Sequence, residues 1–110
     1  MAYNEDLARR IREHLKLLNT PVDERKMFGG VCFMYKNKMA IGVAKEALMV
    51  RVVAEKMEAI LTEDHVRPMD FTGKPMKEFI FVDCDGVETE EQLGKWVELG
   101  VEHAERKAGG

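Results

Sequence analysis

The chain has 110 residues, 45% hydrophobic and 34% charged, which fits one soluble globular domain and excludes disordered, collagen-like and coiled-coil-only architectures. Seventeen Lys and Arg against twenty Asp and Glu leave a net charge of −3. The molecule as a whole therefore lacks the cationic field on which generic nucleic-acid and anionic-membrane binders rely, although a local basic patch stays open.

Leu7, Ile11, Leu15 and Leu18 recur at helical spacing, with Asn4, Glu5 and Asp6 suited to a helix start, so the first element is a helix over residues 4–18. Asn19-Thr20-Pro21 ends it. Four runs with strand character follow, at residues 25–28, 31–35, 39–44 and 48–53. Gly29-Gly30, Lys36-Asn37-Lys38 and Lys45-Glu46-Ala47 separate them, each short enough to join antiparallel neighbours, and Asn37 suits a positive φ. The first run can instead continue into the second through a glycine bulge, leaving a three-stranded meander. Residues 54–62 read as a short helix, and residues 67–76, with Pro68, Gly73 and Pro75, as a long ordered loop or irregular edge. Residues 77–82 form a further strand. Thr89-Glu90-Glu91-Gln92 is a capping box opening a helix to about residue 107, with Leu93, Trp96, Val97, Gly100, Val101 and Ala104 as its stripe and residues 108–110 frayed. The order α-β-β-β-α-β-α implies an α+β fold, a two-layer antiparallel sheet with helices, as one domain over residues 1–110.

Alternation along the strands separates Val31, Phe33 and Tyr35 from Cys32 and Met34, and in the same way Met39, Ile41 and Val43 from Ala40, Gly42 and Ala44. A second set containing Cys32, Met34, Met49, Ile80 and Val82 is as apolar as the first, so both faces of the sheet need cover. Helices two and three can supply it, or a second copy of the chain can, through a dimer interface at Cys32, Met34, Met49 and Ile80 or through the edge strand. Arg51 falls in this set, either at the rim with its stem along the surface or as an interface or anion contact.

No reaction is announced. His14, His65 and His103 stand apart, with no pre-arranged metal-ligand pair, so no metal, cofactor or catalytic residue is expected. Asp83-Cys84-Asp85-Gly86 reads as a tight turn and Thr72-Gly73-Lys74 as a fragment of a phosphate-binding pattern. Cys32 and Cys84 lack the dense spacing of a secreted disulfide scaffold and read as inert thiols. The start, Met1-Ala2-Tyr3-Asn4-Glu5-Asp6, has no signal-peptide pattern and no run approaches the ~18 apolar residues of a membrane span, so a cytoplasmic chain is expected.

Lys26-Met27-Phe28-Gly29-Gly30, the strand Leu48-Met49-Val50-Arg51-Val52, and the stretch Arg67-Pro68-Met69-Asp70-Phe71-Thr72-Gly73-Lys74-Pro75-Met76-Lys77 resemble the N-terminal domain of the TfoX/Sxy family of competence regulators. The resemblance runs from Tyr3 to about Ala104 and implies a fold similar to the secretion-chaperone type, with no known catalytic residue. Full-length regulators of that family carry a further C-terminal helical domain, and this chain reads as a stand-alone copy of the N-terminal one. Rigid loops bearing Lys26, Met27, Phe28, Gly29, Gly30, Arg67, Met69, Asp70, Phe71, Lys74 and Met76, together with Arg51, read either as backbone devices or as a partner-binding surface. Asp70 would pair with Arg67 or Lys74. The leading functional expectation is a non-catalytic protein-interaction module, its partner belonging to the transcription machinery or its regulators. Direct nucleic-acid binding is the alternative, followed by a small-molecule site or enzyme built around Lys26, Arg51, Asp70 and Lys74.

Overall fold

A computed structural model describes residues 4–27, 30–44, 47–68 and 78–109. Helix α1 covers Glu5–Leu17, opened by Asn4, whose Oδ1 accepts the Leu7 N–H at 3.0 Å. Past its end Asn19 takes φ 54°, and the Thr20 N–H returns to the Leu15 carbonyl at 3.0 Å, closing the last turn with a left-handed residue that asparagine tolerates. Four strands follow, β1 Asp23–Met27, β2 Gly30–Tyr35, β3 Lys38–Ala44 and β4 Ala47–Arg51. Lys36 and Asn37, at φ 53° and 66°, form the two-residue turn between β2 and β3 whose twist matches that of the strands it joins. Then come α2 Ala54–Ile60, β5 Val66–Pro68, β6 Phe79–Val82, a single 3-10 turn at Cys84–Gly86, and α3 Glu90–Gly109.

The fold is α+β, with one six-stranded antiparallel sheet in the order β1-β2-β3-β4-β6-β5. The sheet has two strands more than the order α-β-β-β-α-β-α, one of them among the four runs read from the sequence and the other not. The first run is a strand of its own, starting at Asp23 and joined to β2 by a full ladder rather than merged with it through a bulge. Val66–Pro68, whose last two residues fall in the stretch read as a long ordered loop or irregular edge, pairs with β6; three residues are too few to show a period, and Pro68 is tolerated because the strand lies at an edge.

All three helices pack on one face of the sheet. Ile11 and Leu15 of α1, Ile60 of α2, and Leu93 and Val97 of α3 share one core with Val31, Phe33, Ile41, Val43, Leu48 and Val50. Close contact between α3 and β3 depends on Gly100, because a Cβ there would sit 2.2 Å from the Ala40 carbonyl oxygen. The expected capping box opens α3, with the Thr89 N–H donating to Gln92 Oε1 at 3.0 Å and the Gln92 N–H to Thr89 Oγ1 at 3.1 Å. Trp96 Nε1 donates to the Gly86 carbonyl at 3.1 Å and ties α3 to the turn after β6.

The opposite face carries a second cluster of Cys32, Ala44, Met49 and Phe79, packed by Met34, Met39 and Phe81 and drawing no described residue from a helix. Three sequence expectations change here. Ile80 and Val82 belong to the helix-covered core: they lie opposite Val50 and Leu48, while Phe79 and Phe81 lie opposite Arg51 and Met49. Alternation divides one strand into two sets, but only the pairing register says which set shares a face with its neighbour's. Met39 also changes sides, because the β2–β3 register shifts between Phe33 and Met34 and places Met39 opposite Met34. Finally, helices two and three do not cover this face, and Cys32 and Met49 are nevertheless fully buried within one chain. These two side chains present no bare apolar patch to a second copy.

Candidate functional site

The sheet register separates the residues that the sequence grouped. Met27 opposite Gly30, Gly30 opposite Ala44 and Ala44 opposite Ala47 mark one end of the strands. Arg51 opposite Phe79 and Pro68 opposite Ile80 mark the other end, on the far side of β3. Lys26 and Gly30 are therefore not brought together with Arg51 and Arg67, and a ligand site uniting Lys26 with Arg51 has no geometric basis. Phe28, Gly29, Met69, Asp70, Phe71, Lys74 and Met76 lie outside the described residues, as does any pairing of Asp70.

Two arginines from the sequence-derived set come together on the face away from the helices. The guanidinium carbon of Arg51 lies 4.7 Å from the centre of the Phe79 ring, and that of Arg67 lies 4.8 Å from the centre of the Phe81 ring. Cross-strand pairing sets both stacks, since Arg51 faces Phe79 from β4 and Arg67 faces Phe81 from β5. Arg51 is half-buried, and burial pulls its pKa below the ordinary arginine value, with Glu78 opposing. Arg67 is exposed and reaches Asp83 Oδ1 at 3.2 Å. A flat cation over a ring holds its donors in a fixed direction while leaving the edge of the guanidinium for a partner.

Sequence reasoning missed the polar cluster beside Arg51. Glu78, at φ 58° just before β6, accepts from His103 Nε2 at 3.1 Å and lies 3.4 Å from Lys107 Nζ. Burial works against ionisation of Glu78, but Lys107 and then His103 outweigh it and hold the carboxyl below its usual range. His103 is 3% exposed. Burial, then the Arg51 charge, lowers its pKa in spite of Glu78, and its buried Nδ1 has no hydrogen-bond partner among the described residues. A signal was available, because His103 lies three residues after Gly100 on the buried stripe of α3.

The chemistry open to the described residues is limited. No group of three or more His, Cys, Asp or Glu among them could hold a metal ion. Burial pushes the Cys32 thiol up to about 11, which leaves it almost wholly protonated near neutral pH and a poor nucleophile. A cleft of about 560 Å³ between the turn after α2 and the start of α3 is lined by Glu63, Asp64, His65, Lys95 and Trp96. Lys95 is occupied there, paired with Glu63 and lying 4.6 Å from the Trp96 ring centre. No described helix is long and apolar enough to cross a membrane.

In comparison with known protein families, residues 13–104 match the TfoX N-terminal domain, a span from the middle of α1 to the last turns of α3. No curated protein and no solved structure matches the chain significantly.

Proposed function

The chain belongs to the TfoX N-terminal domain family, and we propose that it is a small cytoplasmic interaction module, related to competence regulators, that acts through protein contacts rather than catalysis. The observation that carries this reading is the pair of stacks, Arg51 on Phe79 and Arg67 on Phe81, on the sheet face away from the helices. Arginine and aromatic side chains dominate the energetics of protein interfaces, because each joins a large apolar area to a directed polar edge and loses little entropy on binding. A component of the transcription machinery or one of its regulators is the partner class that the family relationship favours.

Direct nucleic-acid binding is the second reading, favoured by Arg9, Arg10 and Arg12 on α1. Each is already engaged: Arg9 with Asp6 and Glu13, Arg10 with Glu90, and Arg12 with Glu24. A phosphate backbone would have to displace these carboxylates against a net charge of −3. A salt-dependent gel shift with random duplex DNA separates the two readings. The protein-contact reading expects no binding tighter than roughly 10⁻⁶ M at near-physiological salt, and sub-micromolar affinity there would reverse the ranking.

A further inference from the structure

We infer that the edge strand β1 is a self-complementary docking surface, through which a second copy of this chain adds to the sheet. The inference concerns self-association and stands independently of the partner reading above. Two edges end the sheet, β1 and β5. Strand β5 has three residues and finishes on Pro68, which has no N–H to offer a neighbour. Strand β1 has five, pairs among the described residues with β2 alone, and exposes Asp23, Glu24, Arg25 and Lys26.

An open edge is a template for another strand, and proteins commonly blunt one with charges that repel a second copy. The charges of β1 do not do this. Two acids are followed by two bases, so an antiparallel copy can set acids of one chain against bases of the other. Two copies in one continuous sheet are related by a two-fold axis normal to it, and opposed residues must then share a face. The register centred on Glu24 places Asp23 opposite the partner's Arg25 on both sides of the axis. Pairing them breaks no existing contact of that kind, because Asp23 and Arg25 enter none of the ion pairs among the described residues.

The central pair is a Glu24 from each copy. Its repulsion is relieved beforehand, since Arg12 of the same chain grips Glu24 with two hydrogen bonds of 2.7 Å. The alternative register, centred on Arg25, also sets Glu24 against Lys26 on both sides, but it opposes two arginines that have no acid among the described ion pairs to relieve them, calls on a Glu24 already held by Arg12, and leaves Asp23 facing Met27. Pairing only a short strand places the contact at the small end of interfaces, so the dimer is weak and reversible.

The test is sedimentation equilibrium over a range of concentrations on the full chain, as wild type, Asp23→Arg, Arg25→Asp and the double swap Asp23→Arg/Arg25→Asp. Wild type is expected to rise from 12.6 kDa towards twice that mass. Each single variant opposes like charges and is expected to weaken association by about tenfold or more, whereas the double swap restores it. Both positions concerned are exposed, and circular dichroism checks that each variant keeps its fold. A wild type that remains at 12.6 kDa throughout, single variants that associate like wild type, or a double swap that fails to recover would each overturn the inference.

Discussion

His103 on α3 and Glu78 before β6 meet with 3.1 Å between Nε2 and Oε1, in a site where the imidazole is 3% exposed. The contact holds the C-terminal half of the longest helix against the residue that enters β6, and Lys107 adds a second link to the same carboxylate. Neutral His103 donates its Nε2–H to Glu78. Burial and the nearby Arg51 disfavour the charged ring more than Glu78 favours it.

A pH dependence follows from that balance. The folded pKa of His103 lies below its ordinary value, so the unfolded chain takes up a proton first as pH falls through about 6.5. Its contribution to stability is complete above that value and is lost progressively below it. Urea midpoints measured at about pH 7.5 and about pH 5.5 should fall on acidification, and His103→Gln should flatten the fall in this window. A His103 ring that titrates at or above the ordinary value by NMR would contradict the assignment.

Gly100 sets the distance between α3 and the sheet. A Cβ at that position would stand 2.2 Å from a backbone oxygen, which no side-chain rotation can relieve. Gly100→Ala should therefore cost about 1–3 kcal/mol in chemical denaturation, in spite of the better helix propensity of alanine. A neutral or stabilising result would mean that α3 lies farther from β3 than described.

Cys32 should be chemically silent in the folded protein. Its burial and raised pKa predict that a thiol reagent at mildly alkaline pH leaves the Cys32 peptide unmodified by mass spectrometry until denaturant is added. Labelling under native conditions at the rate of a free thiol would show that the face around Met49 opens.

Helix starts were the most legible part of the sequence, because their determinants are local. Asn4 and the Thr89–Gln92 box make the bonds their residue types imply, and α1 and α3 begin where those residues place them. The existence of β1 to β4 and β6 was legible for the same reason, from short runs bounded by turn residues, whereas that of the three-residue β5 was not. Sheet register was not, because it is decided between segments distant in sequence: Ile80 and Val82 fall on the helix-covered face once β6 meets β4, and Met39 moves across a one-residue irregularity. The same non-locality hid the site. Arg51 was singled out as an oddity on an apolar strand, but its neighbours Glu78 and His103 arrive from elsewhere in the chain and could not be paired with it from spacing alone.

Protein contact through the arginine-bearing face is the central claim, and affinity capture from the source cell after nuclease treatment tests it most directly. Wild type and the charge reversal Arg67→Glu are compared, since Arg67 is exposed and its replacement leaves the core intact. Wild type is expected to retain a specific protein partner in the absence of nucleic acid, and Arg67→Glu to lose it. Retention that disappears with nuclease, or a partner held equally by the folded Arg67→Glu variant, would contradict it.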